Sequence, residues 1–516
     1  MTPAPIRILA GFGTVGGWTM LSRILGFVRD IMIAAIVGTG PVAEAFFVAF
    51  RLPNMFRRFF AEGAFNLAFI PLFSKRLEGE GADEAKKFAE EALAVLLTAL
   101  IGLTLLAQLI MPWLVWALAS GFEEGGERER LAILYSRICF PYIIFISLAA
   151  LFSGMANGFG RFAAAAAAPV LLNVVLIAAM WLGGEMGWDP GLTLSWAVFA
   201  GGIGQLLLVQ QACRRLGMTL SLRMPRMTPG VRRLVALGIP AALAGGVTQI
   251  NIVVGTQIAS WTERAIGWMW FADRIHQLPL GVVGVAIGIV LLPTLSRKIQ
   301  AEDQEGAAAS MNRAAEFALF LTLPATAALL AIPELISVVL LERQAFTAED
   351  SAQTARALFV YALGLPAFVL HKVLQPAFIA REDMRSPLRY AVIAMIVNLV
   401  VAVGLYPVFD WLSAPIGTTV AGWAMVVLLW LGARRLSPTI RLDARLSDRW
   451  WRMLAASAAM AGVILSMETV LDGQGWSAFA RLITIVPAGI VCYAALAGVL
   501  GAFRVDDLKR AVRRSA

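Results

Sequence analysis

The chain has 516 residues, of which 59% are hydrophobic and only 15% charged, with a net charge of +9 at neutral pH. Soluble proteins carry roughly a quarter charged residues, so this composition excludes an ordinary soluble enzyme or binding domain and points to a membrane. Three widely spaced cysteines (Cys139, Cys213, Cys492) and two histidines (His276, His371) exclude a disulfide framework, and no metal site or cofactor is expected.

Apolar runs of about 18–25 residues recur from end to end, each long enough to cross roughly 30 Å of hydrocarbon. In chain order they fall near residues 8–37, 41–74, 88–118, 131–156, 162–183, 191–212, 234–260, 265–295, 314–341, 352–380, 388–409, 414–433, 452–471 and 479–502. The plan is an all-α integral membrane protein of about fourteen transmembrane helices. The stretch from Ile6 to Leu25 carries Arg7 and Arg23 and no small-residue cleavage site, so the first run is expected to remain as a span and not leave as a signal peptide. Tryptophan pairs such as Trp113/Trp116 and Trp450/Trp451 suit interfacial belts near span ends.

With the N-terminus inside, basic residues collect on one side of this plan. Lys75-Arg76, Arg214 to Arg233, Arg297-Lys298, Arg381 to Arg389, Arg434 to Arg452 and Arg504 to Arg514 lie inside, against Arg128, Arg130, Arg264 and Arg343 outside. That bias is the positive-inside signature, so the net charge orients the protein, and nucleic acid is not an expected partner. Both termini are expected in the cytoplasm.

The chain also repeats itself at a spacing of about 220–226 residues. Ile70-Pro71-Leu72-Phe73-Ser74-Lys75-Arg76-Leu77 resembles Leu292-Pro293-Thr294-Leu295-Ser296-Arg297-Lys298-Ile299, and Arg51-Leu52-Pro53 has a partner in Gln277-Leu278-Pro279. Pro141 and Asn173 match Pro366 and Asn398, and Arg214-Arg215-Leu216 matches Arg434-Arg435-Leu436. An even number of spans per copy makes two parallel six-helix lobes, 1–218 and 219–437, and leaves a pair of extra C-terminal helices in 438–516. Transporters built from parallel repeats hold substrate between the halves.

Charges inside the apolar runs mark the candidate site. Arg23, Arg29, Arg51, Arg57 and Arg58 lie in the first two runs with Asp30, Glu44 and Glu62, and Asp273-Arg274 lies in the eighth. An arginine at the centre of a bilayer costs roughly 2.5–3.5 kcal/mol, tolerable where it faces a watery cavity or an anion. Arg23 and Arg29 are six residues apart, about 240° around a helix, so a bend at Gly26 is expected to turn both to one cavity. Pro53-Asn54 is expected to break the second run beside Arg51 and Arg58. Snorkelling to the headgroups is the competing account of Arg51 and Arg58, and it suffices for Arg356, Lys372 and Arg481. Asp30, Glu62 and Asp273 suit internal counter-ions. No P-loop, nucleophile elbow or zinc helix is present, and no enzymatic activity is expected.

The runs SRILGFVRD, AEAFFVAFRLPN and RRFFAEGAF, followed by IPLFSKRL and later by FADRI and GVAIGIVLLPTLS, resemble the MurJ (MviN) family of lipid II flippases in bacterial peptidoglycan synthesis. The similarity covers essentially the whole chain. It implies the MOP exporter fold, a bacterial inner-membrane location, and lipid II as substrate: an undecaprenyl tail, a pyrophosphate, two sugars and a stem peptide. By the same resemblance Arg23, Arg29, Arg57 and Arg274 line the cavity, joined by Glu44, Arg51 and Arg58 as substrate-binding residues. The last two helices would form a groove for the lipid tail. Guanidinium suits the role because it binds phosphate oxygens in a two-donor fork and stays charged. Glu44 stands where the family often has aspartate, and Gln277 where many relatives have glutamate. Asn251 and Asn398 come without a mid-depth carboxylate, so a sodium site in the second lobe is not expected, and the membrane potential and a monovalent ion are both open as the energy source. Membrane lipids and cell-wall synthesis or division proteins are the expected partners. The rival reading is a MOP-fold exporter of another lipid-linked oligosaccharide or of drugs. A cationic-drug pump would place carboxylates where this chain places arginines.

Overall fold

The structure, a computed structural model, describes residues 6–57, 64–437 and 439–502, and the regular elements among them are all helices. They belong to two compact units, Met1–Gly267 with Arg343–Phe346, and Trp268–Glu342 with Thr347–Ala516. The first unit holds α1 (Ile6–Val37), α2 (Pro41–Arg57), α3 (Ala64–Gly79), α4 (Ala82–Leu109), α5 (Met111–Leu118), α6 (Glu127–Cys139), α7 (Tyr142–Gly158), α8 (Ala163–Met186), α9 (Pro190–Arg215) and α10 (Pro229–Ser260). The second holds most of α11 (Ala265–Gln300), then α12 (Gln304–Ala331), α13 (Pro333–Leu341), α14 (Ala348–Leu374), α15 (Pro376–Ile379), α16 (Arg385–Phe409), α17 (Ser413–Leu436), α18 (Ala444–Gly473) and α19 (Ala478–Val499).

Some matched segments agree in helix length: α4 and α12 are each 28 residues long. In both copies the next helix is short and opens with a proline, Pro112 in α5 and Pro333 in α13. A proline in the first turn gives up an N–H that has no partner there anyway, but it cannot continue the preceding helix. The third and ninth apolar runs, expected as single spans, are therefore each two helices.

Among the described residues nine segments are long and apolar enough to cross a membrane, one of which, Arg385–Leu436, comprises α16 and α17. Large apolar side chains on their surfaces stay uncovered, with Leu109 78%, Trp181 66% and Val499 85% exposed. Such a surface is at home in hydrocarbon, where helices satisfy their own backbone groups. Within the first unit, Phe69 stacks on Phe73 and Phe88 at 5.5 and 5.7 Å between ring centres. Close helix contact relies on small residues: a Cβ at Gly191 would fall 2.2 Å from the Tyr135 hydroxyl, so α6 and α9 meet only because that position has none. The basic linker after α9 is pinned to α4, where buried Glu90 accepts the Ser221 amide at 3.0 Å and Arg223 Nε at 2.5 Å.

One local expectation is corrected. Pro53 lies inside α2, whose helix runs on to Arg57 while Asn54 Nδ2 donates to the Phe50 carbonyl at 2.8 Å, so Pro53-Asn54 does not break the run. α1 is helical through Gly26, and the Asn173 amide packs 3.5 Å from where its Cβ would be.

Candidate functional site

The apolar sequence of α1 forces its few charges to find partners or a polar space, and its arginines do so differently. Arg29 is held. Its Nη1 donates to Asn173 Oδ1 of α8 at 2.8 Å, and its Nε and Nη2 donate to Asp30 Oδ1 at 3.0 and 2.7 Å. Asp30 is 4% exposed, as suits the counter-ion the sequence suggested. Asn173 closes the arrangement by donating Nδ2 to the Ser22 carbonyl at 2.9 Å. One carboxamide thus ties two turns of α1 to α8.

Arg23 is not held. It is exposed and has no ion-pair or hydrogen-bond partner among the described residues. It lines a cleft of about 420 Å³ with Thr19 and Ser22 of α1, Asn157 of α7, and Phe162 and Pro169 at the start of α8. Pro169 is one turn before Asn173 on α8, so this cleft lies directly along the helix from the Arg29–Asp30–Asn173 cluster. A cation, a carboxamide, two hydroxyls and an aromatic ring converge there, a set able to bind an anionic polar group.

The remaining predicted residues are spread more widely. Arg51 donates to Thr256 of α10, and Arg57 Nε donates to Asn54 Oδ1 at 3.2 Å. Glu44 is buried, accepting from Arg128 Nη1 and from the Ile266 amide, each at 3.3 Å. These neighbours make Glu44 a tie between the start of α2, α6 and the start of α11. Arg128 also lies 4.9 Å over the Phe122 ring, while the Ser120 and Gly121 amides donate to Gln257 and Ser260 at 2.6 and 2.9 Å. Arg58 and Glu62 lie outside the described residues.

In the second unit Arg274 stacks over Trp270 at 4.5 Å, a cation–π contact, and Asp273 accepts from Gln277 one turn on. His276 is buried between the rings of Tyr361 and Phe368, at 5.7 and 5.4 Å between centres. No cluster of three or more histidine, cysteine or carboxylate side chains with metal-binding geometry occurs among the described residues.

Three residues carry more than their sequence signals suggested. Arg128 read as an outer-loop cation, Asn173 as a marker of the repeat, and Arg481 as a snorkelling arginine. Arg481 instead bonds Glu468 Oε1 at 2.8 Å and also Asp472, joining α19 to α18. A polar residue in an apolar run with a charge elsewhere at similar depth was the available signal, but sequence alone does not say which runs adjoin.

The described residues make an all-helical membrane fold with arginines set into the apolar helices α1 and α2. A solved structure described as lipid II flippase MurJ in an inward closed conformation superposes with a TM-score of 0.80 at 23% identity, covering 94% of this chain and 98% of that one. An inward-facing multidrug resistance MATE transporter of the MOP superfamily matches at 0.71 and 14% identity, over 84% of this chain and 99% of that one. The family model for lipid II flippase MurJ matches residues 33–486. The probable lipid II flippase MurJ of Rhizobium tropici is 44% identical over 99% of this chain and 97% of its own. The lipid II flippase MurJ of Burkholderia cenocepacia is 33% identical over 94% and 95%. The chain belongs to the lipid II flippase MurJ family, a family of transporters and not of enzymes.

Proposed function

We propose that this chain moves lipid II from the inner to the outer leaflet of a bacterial cytoplasmic membrane by alternating access. One observation carries the reading beyond family membership: Arg23 stands in an apolar helix and lines a cleft, without a protein counter-ion among the described residues. Burial of a lone guanidinium in a membrane is costly, so its place is best understood if a substrate anion completes it. A pyrophosphate offers the oxygens that a two-donor fork prefers. Arg29, Arg51, Arg57 and Arg58 would add to the positive field, with Arg274 contributing from the second repeat. Asp30, Glu62 and Asp273 would serve as counter-ions to those cations, whereas Glu44, expected to bind substrate, is engaged by Arg128. The repeats 1–218 and 219–437 would rock about the headgroup while the lipid tail stays in hydrocarbon along the pair in 438–516.

Purified protein in vesicles with fluorescent lipid II tests this: quenching by an external reagent should report transfer that empty vesicles lack, and equal rates with and without protein would overturn it. An exporter of cationic drugs is less well supported, since Asp30 and Glu44 are both engaged by arginines.

The topology belongs to the same proposal. Both termini and the linker before α10 are expected inside, with cell-wall synthesis or division proteins as partners. A cysteine in place of Glu123 should be labelled by an impermeant maleimide on intact spheroplasts, and a cysteine in place of Ala516 only after lysis. Equal labelling of the two from outside would refute the fourteen-span plan.

A further inference from the structure

The cleft beside Arg23 contains more than an anion needs. The carboxamide oxygen of Asn157 is buried with no hydrogen-bond partner among the described residues. An unmet acceptor of this kind costs about 1–3 kcal/mol unless something supplies a donor. Thr19 directs its hydroxyl hydrogen to the Val15 carbonyl at 2.8 Å, which leaves the oxygen lone pairs as acceptors. Phe162, at the rim, is 42% exposed. Ala165 and Pro169 give an apolar floor. The cleft volume of about 420 Å³ lies toward the lower end of the roughly 300–1,000 Å³ typical of small-ligand sites.

Acceptors, a ring face and a small apolar floor next to a cation match a particular chemistry. Hydroxyl and amide N–H groups meet the acceptors, a pyranose C–H face meets the electron-rich ring face, and an acyl methyl meets the floor. A lone phosphate would not use the ring or the floor, and an acyl chain would not use the carboxamide. We propose that this cleft is a sugar subsite that takes the N-acylated hexose adjoining the phosphate bound by Arg23. The inference rests on the reading of the substrate as a lipid-linked pyrophosphate and adds which part of its headgroup the first unit recognises.

The test compares two probes, lipid II and undecaprenyl pyrophosphate, the second having the tail and phosphates without sugar. Their binding is measured to the full-length protein and to Asn157→Ala, Phe162→Leu and Arg23→Ala, with thermal unfolding recorded to confirm folding. Asn157→Ala and Phe162→Leu should each weaken lipid II binding by about tenfold, or about 1.4 kcal/mol, and leave undecaprenyl pyrophosphate unchanged. Arg23→Ala should weaken both. Equal weakening of both probes by Asn157→Ala and Phe162→Leu would mean that these residues act through the fold, and no effect on either would mean that bulk lipid occupies the cleft. Each result would overturn the subsite. Failure of the unaltered protein to bind either probe would instead sink the substrate reading, and the subsite with it.

Discussion

Arg23→Ala is expected to abolish lipid II transport while leaving the protein inserted and at least as stable as before. Arg23 has no protein partner to strand among the described residues, so its removal relieves the bilayer of a charge and leaves no orphaned carboxylate. Lysine at the same position should restore the function only in part, because it supplies charge without the planar fork. If Arg23 merely reached for headgroups, lysine would serve fully. Growth of a flippase-depleted bacterium carrying each variant, with protein levels checked by blot, separates these outcomes. Full growth with alanine would refute the role of Arg23 in substrate binding. Arg29→Ala should behave differently: it removes the ion pair to buried Asp30 and severs the bond to Asn173, so lower protein levels are expected along with lost transport.

Glu316→Ala is expected to be the most destabilising single change in the second unit. This carboxylate, on α12, accepts from Arg449 Nη1 at 2.6 Å, from Arg445 Nε and Nη2 at 3.0 Å, and from Arg313. Asp443, which caps α18 by accepting the Leu446 amide at 2.7 Å, pairs with the same Arg313. The cluster clasps the start of α18 to α12. Arg313 and Arg445 are each about a third exposed, so their pairs are screened and contribute little. Arg449 and Glu316 are 8% and 7% exposed, and breaking such a buried pair from one side costs about 3–5 kcal/mol. Thermal unfolding in detergent should show the loss. The double change Glu316→Leu with Arg449→Leu should recover much of it, since replacing a buried ion pair by packed apolar groups is often neutral. A double variant as unstable as Glu316→Ala would show that the clasp does not rest on this pair.

The candidate site was legible in the sequence as a set of residues but not as an arrangement. An arginine in a long apolar run is conspicuous because hydrocarbon offers it nothing, so Arg23 and Arg29 stood out together. Their difference did not. Arg29 is satisfied by Asn173, a residue in a distant run, and Arg23 finds no partner among the described residues. Pro53 misled for a related reason: proline removes one N–H, but a helix packed on its neighbours can carry that loss. Asn157 and Phe162 gave no signal, being ordinary residues near a helix end until the α1–α7–α8 cleft placed them beside Arg23.

Chain-local chemistry determined a great deal by itself. Apolar run length imposed helices, because a bilayer leaves backbone polar groups no other partners. Basic loops carried the expected orientation, repeated prolines and asparagines the expected two-lobe plan, and the arginines in apolar runs the expectation of an anion. Only the tertiary structure decided which charges neutralise one another. Arg128 with Glu44, Arg481 with Glu468, and Arg449 with Glu316 each join different helices, and in each case the pairing depends on packing distances of a few ångströms. Coulomb energy in a poorly screened interior varies steeply with such separations and with burial, whereas spacing along the chain leaves both undetermined.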